Sequence, residues 1–271
     1  MKRVAIAGVG LIGGSFALAL RQAGFDGEIV GVSSPRTIAE AKAGGVIDSS
    51  MALDEAAAWA DLLFLAQPIR RIVEMIPLIG ASIGKQTLVT DAGSTKGTIC
   101  AEAGQHIPAG QFLGGHPMAG KETRGAASAD PSLFRNRTWV LTRECDHPFV
   151  DWVRRIGAHV LILDPDEHDR TVAHTSHLPQ LVSTALACTV DGAELRAGGP
   201  GLIDMTRLAL SQYEMWEDIL ATNPESIDAA LAEMIAALAA MREQLRGAGL
   251  REEFERAAKM RRRLVSPVQL R

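Results

Sequence analysis

Cysteine is scarce in this chain. Cys100, Cys145 and Cys188 are the only three, and they lie far apart. An odd, scattered set builds neither a disulfide framework nor a Cys-rich zinc site, and it fits a reducing cytoplasm. Long apolar runs are missing too, so no segment reads as a bilayer span. An excess of one charge is equally absent: 28 Lys+Arg stand against 32 Asp+Glu, a net charge of −4. Nucleic-acid binders normally carry a basic surplus, so no nucleic-acid partner is expected. Met1-Lys2-Arg3 followed by Val-Ala-Ile-Ala imitates a secretory leader. Its apolar run of about four residues falls short of the roughly seven to fifteen such a leader needs, and a first β-strand explains it better.

What is present is ordinary globular material. Hydrophobic residues make up 47% and charged residues 22% of 271 positions, enough for one large domain or two modest ones. Val4–Ala7, Glu28–Val32, Leu62–Ala66, Gln86–Thr90, Trp139–Thr142 and His159–Leu163 read as short apolar strands. Between the first four lie helical stretches at Ser15–Ala23, Thr37–Ala43 and Ile69–Ile79, and Lys96–Ala103 follows the fourth. Alternation of this kind predicts a parallel sheet covered on both faces. After Asp164 the pattern changes. Residues 165–180 are polar and His-rich, and Leu181–Leu245 is helix-forming throughout with no strand signal. The expected organisation is an α/β unit over residues 1–165 and an all-α unit over 166–271.

Gly8-x-Gly10-x-x-Gly13 follows the first strand directly and opens the first helix. That context turns a weak motif into a dinucleotide-binding fingerprint. Gly8 permits the tight turn, Gly10 admits the pyrophosphate to the backbone, and Gly13 lets helix pack on strand. The amides of Gly10, Leu11, Ile12 and Gly13 and the positive end of the helix dipole then face the phosphates. At the end of the second strand an NAD site usually places an acid on the ribose hydroxyls. Here the chain reads Gly31-Val32-Ser33-Ser34-Pro35-Arg36. Ser33 and Ser34 do not repel a phosphate, and Arg36 can pair with one, so NADP is the expected cofactor with NAD as the alternative.

Three further stretches carry candidate chemistry. Asp91-Ala-Gly-Ser94-Thr-Lys96 closes a strand where parallel sheets hold ligands; Ser94 suits a helix cap or a site hydroxyl, and Lys96 a pairing with Asp91. Gly114-Gly-His116-Pro-Met-Ala-Gly120 reads as a rigid loop around one imidazole, a proton-transfer candidate beside a nucleotide crevice. Asp204-Met-Thr-Arg207 offers a guanidinium suited to a planar carboxylate; the bland alternative is a surface ion pair with Asp204, Glu214 or Asp218. The cluster Asp164, Asp166, Glu167, His168, Asp169, His174 and His177 invites a metal reading. Ser176-His177-Leu178-Pro179 looks instead like a helix start, and the acids like caps and loop residues, so no metal is expected.

Taken in order, these stretches resemble one family, the prephenate and arogenate dehydrogenases of tyrosine biosynthesis. The resemblance runs from Gly8 to about Ile219 through Gly8–Gly14, Asp91–Lys96, Gly114–Gly120 with Glu122, Ser176–Pro179 and Asp204–Arg207. It implies a Rossmann-type domain followed by a helical domain that forms a homodimer. It also implies oxidative decarboxylation of a cyclohexadienyl acid, prephenate or arogenate. By resemblance His116 is the catalytic base, Ser94 orients it, and Arg207, Glu122, His177 and Gln180 surround the substrate. Gln180 stands where some prephenate-specific members carry a second histidine, which leaves prephenate and arogenate both open. Beyond Leu245 about twenty-five residues remain. A regulatory module needs on the order of 70–100, so any feedback by tyrosine would have to act at the active site itself. Rival two-domain dehydrogenases of hydroxyacids and imines often use a lysine in the helical half, and Leu181–Leu245 contains none. A cofactor-binding regulator without turnover would not need His116, Ser94 and Arg207 together.

Overall fold

The computed structural model describes residues 1–121, 123, 125–247 and 249–265. Its first half is built on six parallel strands: β1 (Arg3–Ala7), β2 (Glu28–Val32), β3 (Ser49–Ser50), β4 (Leu62–Leu65), β5 (Leu88–Asp91) and β6 (Phe112–Leu113). They lie in the order β3-β2-β1-β4-β5-β6, the doubly wound arrangement of dinucleotide folds. Helices α1 (Leu11–Gln22), α2 (Pro35–Ala43), α3 (Leu53–Trp59), α4 (Ile69–Gly80) and α5 (Gly97–His106) connect them.

Side-chain alternation explains why the central strands are apolar throughout. Val4 and Ile6 of β1 and Leu62 and Phe64 of β4 enter one core. Ala5, Ala7, Leu63 and Leu65 enter the other, beneath α3, α4 and α5. A strand buried on both faces has no polar side to show. In α4 the buried residues Ile69, Ile72, Ile76 and Ile79 fall three and four apart on one stripe facing the sheet.

Two expected members of the parallel sheet lie elsewhere. β8 (Thr138–Leu141) and β9 (His159–Ile162) form a separate three-stranded sheet with β7 (Gly115–Pro117), in the order β7-β8-β9. β8 runs antiparallel to β7 and parallel to β9, the latter pair joined through α6 (Pro148–Arg155). Trp139 of β8 ties this sheet to the larger one. Its ring packs against Phe16, Phe64, Phe134 and Phe149 at centroid distances of 5.0–6.0 Å. Each such ring contributes about 2–3 kcal/mol on burial, enough to fuse the sheets into one core.

The second half is helical: α7 (Pro165–Val172), α8 (Leu178–Cys188), α9 (Gly192–Arg196), α10 (Pro200–Thr206), α11 (Tyr213–Thr222), α12 (Pro224–Glu243) and α13 (Leu250–Val265). The expected helix start at Ser176–Pro179 is not a start. The chain is already helical from Pro165, and a π-helical turn over Ala173–His177 joins α7 to α8. Pro179 has no N–H to give to an α-type ladder, and a wide turn just before it absorbs that loss. Among the described residues no helix is long and apolar enough to cross a membrane.

Candidate active site

The glycine turn behaves as its spacing requires. Gly8 has φ +100°, and a side chain there would meet the Ala66 carbonyl oxygen at 2.3 Å. A Cβ on Gly13 would lie 2.1 Å from the Gly8 carbonyl oxygen. Gly10 differs: nothing lies within 4 Å of its Cβ position, so its backbone is open to a ligand. Gly10 also stands at the N-terminus of α1, where no side chain caps the turn and no acid occupies it. That exposed positive helix end borders a cleft of about 370 Å³, whose walls include Gly10, Leu11, Ile12, Gln67, Pro68, Gly93 and Ser94. Shape and charge suit the pyrophosphate of a dinucleotide.

At the end of β2 the three expected contacts take separate roles. The Ser34 hydroxyl accepts from the Thr37 N–H at 3.3 Å and caps α2. Arg36 pairs with Glu40 at 3.0 Å, one turn on, with its side chain 90% exposed. Ser33 lines a shallow cavity with Gly31, Pro35, Ile38, Lys42 and Met51, and no carboxylate lines it among the described residues.

His116 is not in a loop. It occupies the centre of β7, opposite Val140, and is only 8% exposed. The residue before it is clasped from both sides. The Gly115 N–H donates to Asp91 Oδ1 (3.0 Å), and its carbonyl accepts from Lys96 Nζ (2.9 Å). Asp91 and Lys96 form an ion pair with both side chains fully buried, as the spacing suggested for Lys96. Beyond the ring, His116 Nδ1 lies 2.8 Å from His168 Nε2, and His168 Nδ1 lies 2.7 Å from Asp169 Oδ1. Asp169 also receives the N–H of Lys96 on Oδ1 (2.7 Å) and that of Gly97 on Oδ2 (2.8 Å). A carboxylate from α7 thus caps α5, the task the sequence offered to Ser94.

These contacts set the charge states. Burial holds the His116 imidazole well below its usual pKa, and neighbouring His168, Lys96 and His177 act in the same sense. Burial likewise pushes His177 down to about 4, against the opposing influence of Asp169. Burial works against the Asp169 carboxylate, but bonds from His168 and from the Gly97 and Lys96 amides outweigh it and keep its pKa below the usual value.

The remaining expected residues separate into groups. Ser94 is half-buried on the wall of the cleft, and no hydrogen bond joins it to His116; that ring's partner is His168. His177 sits in the π turn, its ring edge-on to Trp216 at 6.0 Å, with Asn223 Nδ2 3.5 Å from its Nδ1. Asn223 also donates to the Asp169 carbonyl (2.8 Å). Gln180 is buried, and its amide donates to the Leu208 carbonyl (2.9 Å), so it steadies the segment that carries Arg207. Arg207 is exposed on that segment and does not line the cleft. Among the described residues it makes no ion pair with Asp204, Glu214 or Asp218; Asp218 instead receives the Arg70 N–H at 3.0 Å. Glu122 lies outside the described residues. The acidic and histidine cluster separates: Asp164 caps α7, His168 and Asp169 join the His116 chain, and among the described residues no group of three His, Cys, Asp or Glu side chains is placed to hold a metal ion.

Comparison with known proteins decides the relationship. A family described as prephenate dehydrogenase, nucleotide-binding domain, matches residues 16–162, and one described as prephenate dehydrogenase, dimerization domain, matches 164–260. The chain belongs to the prephenate dehydrogenase family. Within that family it is 36% identical over 236 residues to a prephenate dehydrogenase of Lactococcus lactis subsp. cremoris, covering 83% of this chain and 66% of that protein. The crystal structure of prephenate dehydrogenase from A. aeolicus in complex with hydroxyphenyl propionate and NAD+ superposes with a TM-score of 0.86 at 29% identity, covering 98% of this chain and 99% of that one. Synechocystis arogenate dehydrogenase gives a TM-score of 0.85 at 26% identity, covering 97% and 99%.

Sequence reasoning missed the part of this dehydrogenase-family site that lies beyond the imidazole. The sequence reading places Asp169 among capping and loop acids and gives His168 no role. The available signal was helical periodicity: both lie in line with the apolar Val172 and Ala173, four positions on, and all four are buried.

Proposed function

We propose that this chain catalyses the NAD(P)-dependent oxidative decarboxylation of a cyclohexadienyl acid, prephenate or arogenate, in tyrosine biosynthesis. The observation that carries the reading is a buried imidazole, His116, whose preceding residue is bonded to Asp91 at the carboxyl end of β5, in the sheet that carries the glycine turn; burial lowers its pKa. A bound nicotinamide supplies the hydride acceptor. The chain supplies orientation, a proton acceptor and an anion clamp. His116 Nε2 takes the proton of the ring hydroxyl as hydride leaves the carbon that bears it, and that carbon becomes a carbonyl. The ring carboxylate then departs as carbon dioxide. Its bonding electrons enter the ring, which becomes aromatic, and the resulting phenolate oxygen recovers the proton from His116. No proton is gained or lost overall, so one imidazole is sufficient.

Ser94, on the wall of the cleft, would contact substrate and cofactor together. Arg207 would hold the substrate carboxylate; its freedom from the neighbouring acids supports that role. His177 and Gln180 would close the substrate side, Gln180 through the segment it steadies. NADP is the preferred cofactor in this reading, supported by the lack of a carboxylate beside Ser33 and by the exposure of Arg36. The working unit would be a homodimer. Among the described residues its helical half buries Ala173, Ile227 and Ala230 in a small core of its own, while Leu210 is 85% exposed. A second copy would cover such a surface.

Steady-state kinetics across prephenate and arogenate, each with NADP and NAD, test the reading. Reduced-cofactor absorbance is expected with at least one pair, and more strongly with NADP. Silence in all four would favour a regulator without turnover. His116→Asn is expected to lower kcat by about 10²–10⁴-fold, and near-normal turnover in that variant would remove His116 from the mechanism.

A further inference from the structure

The bond between His116 and His168 determines which nitrogen of each ring carries hydrogen. Asp169 is an ionised carboxylate and only accepts. Its Oδ2 takes the Gly97 N–H, and its Oδ1 takes the Lys96 N–H and faces His168 Nδ1 at 2.7 Å. Nδ1 of His168 must therefore be the donor, and in the neutral ring Nε2 is left as an acceptor. His116 Nδ1 lies 2.8 Å from that acceptor, so it must be the protonated nitrogen. The lone pair of His116 then sits on Nε2, the only ring nitrogen free to meet a reactant. Were His168 replaced by a group without an acceptor, nothing in this chain of bonds would keep hydrogen on Nδ1.

The anchorage of the pair is unusually firm. Asp169 is gripped by two consecutive backbone amides at the start of α5, and its own carbonyl accepts from Asn223. Lys96, which gives one of those amides, also reaches the Gly115 carbonyl through Nζ. The same short segment therefore locates the backbone before His116 and, through Asp169 and His168, the ring of His116.

We propose that His168 and Asp169 are positioning residues for His116: they hold its ring in the Nδ1–H tautomer and orientation, leave Nε2 as the base, and steady the imidazolium while Nε2 holds the substrate proton. The inference rests on the assignment of His116 as the base. It adds two residues that do not touch substrate and act through a hydrogen bond. The proton need not travel along the chain, because the phenolate oxygen takes it back. The pair acts by alignment and charge, as a buried carboxylate does behind a catalytic histidine elsewhere.

The test begins with the unaltered protein. 15N NMR of histidine-labelled enzyme at neutral pH is expected to report His116 as the Nδ1–H tautomer; an Nε2–H tautomer overturns the proposal without any variant. His168→Phe keeps a ring and removes the acceptor, whereas His168→Gln keeps a carbonyl for His116 and an amide for Asp169. The Phe variant is expected to lose about tenfold or more in kcat, to leave substrate KM nearly unchanged and to release the tautomer preference. The Gln variant is expected to recover most of the turnover and the Nδ1–H signature. Equal losses in both variants with an unchanged tautomer would mean that His168 only fills space, and would overturn the proposal. Full turnover in His168→Phe beside a dead His116→Asn sinks this proposal alone. Retained turnover in His116→Asn sinks the base assignment and the positioning role with it.

Discussion

A histidine works as a base only while it is uncharged, and at position 116 burial enforces that state. Because the His116 pKa is held well below 6.5, the acid limb of kcat/KM is expected well below pH 6.5; a pH–rate profile whose acid limb sits at or above that value would contradict the assignment. The same depression has a stability consequence with a definite sign. An unfolded histidine protonates near its ordinary value of about 6.5, whereas buried His177 resists protonation down to about 4. Below the unfolded value the unfolded chain binds the extra proton, so the His177 contribution is fully present above about pH 6.5 and is lost as pH falls toward 4. Urea midpoints at pH 7.5 and pH 5 should therefore diverge less in His177→Asn than in the parent. The glycines offer a contrast of the same kind. Gly13→Ala forces a Cβ to 2.1 Å from a backbone oxygen, while Gly10→Ala meets open space. The first is expected to lower thermal stability, the second to leave it near wild type and raise KM for the dinucleotide.

Elements that carry the site are fixed by partners remote in sequence. α5 begins at Gly97 without a cap of its own and takes one from Asp169, 73 and 72 residues beyond the two amides it binds. β7 is held in place by a fully buried ion pair, Asp91–Lys96. Lys96→Met would strand the Asp91 charge, and a loss of about 3–5 kcal/mol is expected in chemical denaturation. The double variant Asp91→Asn with Lys96→Met should recover part of it, because no isolated charge then remains. Much of this half was legible beforehand: Glu28–Val32 was read to the residue, and Leu62–Leu65 to within one. Such strands are buried on both faces and have an apolar signature that needs no partner to recognise. The strand at Gly115–Pro117 was not legible. Its three residues carry no alternation, and glycine and proline argue for a loop. Only pairing with β8 makes it a strand. The π turn at Ala173–His177 escaped for a similar reason: Pro179, two residues after the polar pair Ser176-His177, signals a helix start unless the preceding segment is already known to be helical.

At the scale of the whole molecule the two halves differ in how they meet solvent. The sheet half encloses two large cores, whereas the helical half leaves Ile203, Tyr213, Ile235, Leu238, Leu245 and Phe254 exposed on one copy. Apolar area of that extent favours self-association. Light scattering after size exclusion is expected to give twice the mass of the chain. Charge inserted on that surface, as in Leu238→Glu with Phe254→Glu, should shift the distribution toward monomer while leaving dinucleotide binding by the first half intact. The halves are also joined directly, through the Thr95–Thr222 hydroxyl contact at 2.7 Å and the seat of Arg70 on Asp218. A substrate held between them would therefore meet residues from both.

Sequence alone determined the doubly wound half and the glycine turn and singled out His116 as the candidate base, because each rests on local periodicity or on a motif whose geometry is set within a few residues. The helical half announced its class but not its arrangement, since apolar spacing says which face is buried and not against what. Tertiary structure decided the rest. It put His116 in a strand, gave its ring to His168 rather than Ser94, and set Asp169 to cap a helix some seventy residues earlier. A hydrogen bond between distant residues leaves no trace in the spacing of either one; it exists only once packing has brought donor and acceptor within about 3 Å of each other.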